Sequence, residues 1–135
     1  MKLARTITAA AIVSTTALSV IGIGAQSASA KGVEVRTSGS CSASTDWTLK
    51  TKAEDRSRLE VELEIDSNRN GQTWRVSIND NGTRVYTGSR KTLAPSGSFE
   101  VNRTILNRAG TDHITAWAWN TANGERCRAT LAFPG

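Results

Sequence analysis

From Arg58 to Asp66 the chain alternates without a break, with Leu59, Val61, Leu63 and Ile65 on one side and Arg58, Glu60, Glu62, Glu64 and Asp66 on the other. A period of two carrying β-branched residues predicts a strand with one buried and one wet face. Wound into a helix, the same residues would scatter their apolar groups around the axis. Just upstream, Trp47, Leu49 and Thr51 alternate with Thr48, Lys50 and Lys52, and the polar stretch 53–57 can turn between the two. Antiparallel pairing then sets Lys50 and Lys52 beside Glu60, Glu62 and Glu64, and each opposite-charge pair contributes about 0.2–1 kcal/mol.

The same period runs on toward the C-terminus. Trp74, Val76 and Ile78 oppose Arg75 and Ser77, and Asn79-Asp80-Asn81-Gly82 follows as a hairpin turn whose Asn and Gly accept positive φ. A short strand returns over Thr83–Thr87. Further strands are predicted at Ser98–Asn102, His113–Asn120 and Glu125–Phe133, separated by polar turns. About seven short strands and no helical period predict an all-β, two-sheet antiparallel sandwich.

The first thirty residues follow different rules. Lys2 and Arg5 precede an uncharged apolar run from Ile7 to Gly24, which ends in Ser27-Ala28-Ser29-Ala30 with small residues before a cut after Ala30. These are the three regions of a secretory signal peptide in order. The expected layout is therefore a cleaved signal at 1–30, an N-terminal segment at 31–45 and a β-sandwich domain at 46–135. The expected address is extracellular, with no membrane attachment after cleavage. Cys41 follows Ser38-Gly39-Ser40, which lacks the aliphatic residue of a lipobox.

Charge and cysteines refine this picture. The formal net charge is +5, and removal of Lys2 and Arg5 lowers it by two, which is too weak a positive field to argue for nucleic acid. In an oxidising compartment Cys41 and Cys127 are expected to pair with each other, closing a loop of roughly 85 residues worth at most ~4–5 kcal/mol; the other arrangement has each bridging a dimer. The chain itself is expected to be a monomer. With one histidine and no CxxC pair, no metal and no cofactor are expected.

A resemblance enters at Trp74. A Trp in a mid-chain strand, then Gly110-Thr111-Asp112-His113-Ile114-Thr115-Ala116, then a hairpin and a last strand, resembles strands C, F and G of immunoglobulin-like and fibronectin-type domains over roughly residues 46–133. The resemblance implies that Trp74 sits in the core between the sheets. This chain departs from the antibody pattern in having its second cysteine in the last strand, with no Tyr two residues before a strand-F Cys. A Cys41–Cys127 bridge would thus pin the N-terminal segment to the last strand. As a whole the chain resembles small secreted proteins of high-GC Gram-positive bacteria, and that likeness implies no particular activity.

Catalytic constellations are sparse. His113 is the only imidazole, and Asp112 beside it in a strand points to the opposite face; no GxSxG turn is present. Glu60, Glu62 and Glu64 stand ~6.5–7 Å apart along their strand, but a flat sheet face has no pocket to raise a carboxyl's pKa. The chain is not expected to be an enzyme. Asp66-x-Asn68-x-Asn70-Gly71 matches the first half of an EF-hand loop, yet Ser77 stands where the twelfth-position Glu belongs, and the bland reading is a polar turn.

The candidate binding surface lies on the penultimate strand. If Ile114, Ala116 and Ala118 face the core, His113, Thr115, Trp117 and Trp119 face out. If Cys127, Ala129, Leu131 and Phe133 face in, Arg126, Arg128 and Thr130 face out, with Arg75 and Ser77 on the other flank. Trp117, Trp119, Arg75, Arg126 and Arg128 would then share one sheet face. Aromatic rings stack on sugars and guanidinium forks bind carboxylate or phosphate, so the candidate partners are a carbohydrate, a cell-wall polymer or an extracellular protein. The competing account has the arginine stems simply covering the rings, and a slip of one residue would bury the tryptophans. A second functional reading, a small secreted hydrolase inhibitor, rests on the loop Leu93–Gly97 entering a cleft.

Overall fold

The computed structural model describes residues 32–135, so the expected signal peptide at 1–30 lies outside the described residues. Eight strands follow in chain order: β1 (Glu34–Ser40), β2 (Asp46–Ala53), β3 (Arg58–Asp66), β4 (Thr73–Asp80), β5 (Thr83–Lys91), β6 (Ser98–Leu106), β7 (Asp112–Asn120) and β8 (Arg126–Phe133). Every pairing is antiparallel. Two four-stranded sheets result, ordered β1-β2-β3-β6 and β5-β4-β7-β8. Among the described residues the fold is an all-β sandwich of two antiparallel sheets, with β4 and β7 in the middle of the second.

The alternations read from the sequence set the register. Lys50 lies opposite Glu62 and Lys52 opposite Glu60, and the Lys50 ammonium is 2.8 Å from the Glu62 carboxylate. Between the sheets Leu49, Leu59, Val61, Leu63 and Ile65 meet Trp74, Ile78 and Ile114, all essentially sealed from solvent. Trp74 packs across the core against Phe99 of β6, ring centres 6.4 Å apart and tilted, an arrangement that suits the ring quadrupoles.

Where strands are longer or more numerous than the pattern implied, polar residues hide the period. β1 is the eighth strand: its partly buried positions are Val35, Thr37 and Gly39, only one of them strongly apolar. β5 and β6 each run several residues further than their apolar stretches, to Lys91 and Leu106. On β6, an edge strand, Arg103 takes an inward-facing position and lies over the Tyr86 ring at 4.3 Å, while Arg90 of β5 lies 5.6 Å from the same ring. Long stems cover the phenol and charged ends reach water at the open side of the sandwich, which also keeps that edge from pairing with another sheet.

The opposite side is clipped shut. Cys41 and Cys127 form a disulfide between the β1–β2 turn and β8. Beside it the Ser42 N–H donates to the Arg126 carbonyl at 2.8 Å, and the Arg126 N–H donates to the Ser42 hydroxyl at 2.9 Å. Glu125, which the apolar pattern placed at the start of the last strand, instead stands just outside it as a buried turn residue.

Candidate functional site

The outer face of the second sheet can be read row by row from its register. In one row Ser89, Arg75, Trp119 and Arg126 stand side by side across β5, β4, β7 and β8; in the next stand Thr87, Ser77, Trp117 and Arg128. Both tryptophans are partly exposed, 43% and 45%, whereas Trp74 on the inner face of the neighbouring strand is fully buried. The inward set Ile114, Ala116 and Ala118 explains this. Alanine leaves room for the core side chains of the opposing sheet, and the strand's strict period then puts both indoles outside.

Each indole has a guanidinium from β8 beside it. Arg126 lies 5.8 Å from the Trp119 ring centre and Arg128 lies 5.3 Å from that of Trp117. These are cation–π contacts, worth about 0.5–1 kcal/mol each at an exposed site. They flank the rings on the β8 side. On the β5 side the rings wall a shallow groove of about 470 Å³, whose lining includes Arg75, Ser77, Arg84, Thr87 and Ser89. The five sequence candidates therefore divide: Trp117, Trp119 and Arg75 line the groove, while Arg126 and Arg128 hold the backs of the rings.

Arg84 is the residue that sequence reasoning missed. Tyr86 points inward opposite Ile78, so strict alternation would send Arg84 inward too. The pairing slips between Ile78 and Asn79, leaving Val85 without a partner and placing Arg84 opposite the outward Asn79. This β-bulge re-aims the side chain onto the tryptophan face, a known use of bulges. An alternation count carries no signal for it. Among the described residues, none of Arg75, Arg84, Arg126 and Arg128 has a carboxylate within ion-pair distance.

The other chemistry-bearing groups are placed differently. His113 is exposed, and the hollow beside it, lined by Thr37, Thr115, Arg128 and Thr130 among others, contains no carboxylate. Asp112 is fully buried on the opposite face. There it meets Asp80, also buried, and burial together with the contact to Asp112 pushes the Asp80 carboxyl up to about 6, against the pull of Arg108 and His113. The Arg108 Nε lies 3.5 Å from Asp80 Oδ2. Both carboxyls are buried, with the exposed Arg108 reaching Asp80 from the surface, and neither touches the tryptophan face.

Glu60, Glu62 and Glu64 lie on the outer face of the first sheet with Lys50 and Lys52. At the Asp66–Gly71 turn, Asp66 Oδ1 accepts the Asn68 N–H at 3.0 Å, and Asn68 has a positive φ of 55°. The Asp and Asn there serve the turn's own backbone. The loop Leu93–Gly97 closes on itself: the Gly97 N–H donates to the Leu93 carbonyl and the Leu93 N–H to the Ser98 carbonyl. Leu93 protrudes from it, 63% exposed, but the loop is a compact turn rather than an extended segment.

No family model matches the chain, and no curated protein matches it either. Among solved structures, the crystal structure of chicken MD-1 complexed with lipid IVa is similar over 76% of this chain and 99% of that one, with 10% sequence identity and a TM-score of 0.30. A likeness that distant has no bearing on function.

Proposed function

We propose that this chain is a non-enzymatic binding module that acts outside the cell, and that the outer face of its second sheet holds a sugar-containing polymer such as one found in a cell wall. One observation carries the reading. Trp117 and Trp119 project from the same side of one strand, each more than two-fifths exposed, and wall a common groove. Two adjacent, partly exposed indoles cost burial that a monomer would otherwise gain, and an open indole face is a surface a pyranose stacks on. Serine and threonine hydroxyls at Ser77, Thr87 and Ser89 lie in the same groove, where they can bond sugar hydroxyls.

Export supports the reading. The signal-like N-terminus points to it, and a Cys41–Cys127 disulfide suits an oxidising compartment. Among the described residues no helix is long and apolar enough to cross a membrane. The expectations of no nucleic acid and of a monomer belong to the same proposal.

Co-sedimentation with insoluble cell walls and polysaccharides tests it. Wild-type protein sediments with at least one polymer, and the Trp117→Ala/Trp119→Ala variant, with an unchanged circular dichroism spectrum, stays in solution. Equal sedimentation of the two proteins would leave the rings with a structural role and turn the search to protein partners.

A further inference from the structure

We propose that Arg84, carried onto the tryptophan face by the bulge at Val85, forms with Arg75 an anion-binding pair that makes the groove select a negatively charged polysaccharide over a neutral one. The inference rests on the sugar-binding reading above and adds the charge of the ligand and a residue that recognises it.

Position comes first. Arg75 and Arg84 stand at two ends of the groove, since Arg84 pairs with Asn79, four residues along β4 from Arg75. Four residues of strand span about 13 Å. The indoles lie alongside that span, one strand over. A polymer running parallel to the strands would stack sugar rings on Trp117 and Trp119 while its anionic groups met a guanidinium at either end.

The division of arginines comes next. Arg126 and Arg128 have a local role, holding the indole rings from the β8 side. Arg75 and Arg84 have none: among the described residues neither has a salt bridge or a cation–π contact. Both are exposed. The guanidinium fork is suited to carboxylate and phosphate oxygens, and a sugar's neutral hydroxyls would not call for two of them.

Charge segregation sharpens the argument. The outer face of the first sheet carries Glu60, Glu62, Glu64, Glu100 and Asp46. No Asp or Glu stands among the outward positions of the second sheet; its Asp80 and Asp112 point inward and are buried. One face is thus free of carboxylates that would neutralise its arginines or repel an anion. Carboxylate and phosphate share this chemistry, so both a polyuronate and a sugar- or polyol-phosphate polymer fit.

The test measures binding of the mature protein to three soluble polymers at low and moderate salt: a neutral β-linked glucan, polygalacturonate and poly(glycerol phosphate). Wild type, Arg84→Gln and Trp117→Ala/Trp119→Ala are compared, each with its fold checked by circular dichroism. Expected is tighter binding of at least one anionic polymer than of the glucan, by about tenfold or more at low salt. Arg84→Gln should lose about tenfold on that polymer, keep its affinity for the glucan and show a weaker salt dependence. The anionic polymer bound more tightly assigns carboxylate or phosphate as the recognised group.

Equal wild-type affinity for neutral and anionic polymers, or anionic binding unchanged in Arg84→Gln, would overturn the charge inference and leave the sugar-binding reading standing. Anionic binding that survives loss of both tryptophans would reduce the site to plain ion pairing and overturn the combined mode. Failure of the wild type to bind any of the three would remove both readings. Self-association at low salt that Arg84→Gln abolishes would assign the face to the acidic sheet of a second copy instead.

Discussion

Thr45 and Glu125, 80 residues apart in the chain, meet in a buried junction where the glutamate carboxylate accepts both the backbone N–H and the hydroxyl of the threonine. The same carboxylate accepts the Ala43 N–H at 3.0 Å. Three donors of the β1–β2 turn thus end on one side chain at the entrance to β8. Truncation would leave the two buried donors of Thr45 unpaired, and each such loss costs about 1–3 kcal/mol. Glu125→Ala is therefore expected to lower unfolding free energy by about 3 kcal/mol or more in urea titration, and Glu125→Gln by less.

The disulfide beside this junction restrains the same two segments. Replacing both cysteines by serine, or reducing the bridge, is expected to lower stability by about 2–4 kcal/mol. Thermal melts with and without reductant measure it. Because Arg126 is bonded to Ser42 in both directions, opening the clip also loosens the β8 side of the tryptophan face. The double cysteine variant should accordingly bind polymer more weakly than the wild type even well below its melting temperature.

The Asp80–Asp112 pair gives stability an unusual pH slope. An exposed Asp titrates near 3.8, and the folded-state value for Asp80 is about 6. Between these the folded protein binds the extra proton, so this contribution is fully present below about pH 4 and is lost as pH rises through about 6, an effect on the order of 2–3 kcal/mol. Asp80→Asn, similar in volume and uncharged, should flatten the slope in that window and be at least as stable as the wild type at pH 7.5. Denaturant titrations across pH 4–7.5 check both; a wild-type stability that rises over this interval while the variant's stays flat would refute the raised Asp80 carboxyl.

Arg128 and Trp117 provide the measure of how much the ring face depends on its own arginines. A double-mutant cycle with Arg128→Ala and Trp117→Ala is expected to show a coupling of about 0.5–1 kcal/mol in stability, the size of an exposed cation–π contact. A coupling near zero would mean that the guanidinium neither covers nor orients the ring.

Much of this protein was legible from the chain alone. A period of two leaves little freedom: once Leu59, Val61, Leu63 and Ile65 must be buried, Glu60, Glu62 and Glu64 must be wet, and the same logic faces Trp117, Trp119, Arg126 and Arg128 outward. Cys127 falls among the inward residues of its strand by the same count. Those are local consequences of backbone geometry, and they survive without knowledge of any partner strand.

Other features existed only once the sheets had closed. β1 has too few apolar residues to announce itself and becomes a strand because β2 offers it an edge to pair with. Arg103 breaks the period of β6 because its stem has Tyr86 from the opposite sheet to cover. Glu125 is held by donors 80 residues away, and the Asp80 carboxyl is pushed up because folding buries it against Asp112. Arg84 reaches the tryptophan face through a slip in pairing between two strands, which neither strand's sequence contains by itself. The sequence by itself determined which way each regular strand faces, because side-chain alternation is a property of the single chain. Tertiary structure alone decided which residues meet across sheets and where the register slips, because those depend on contacts that do not exist until distant segments pack.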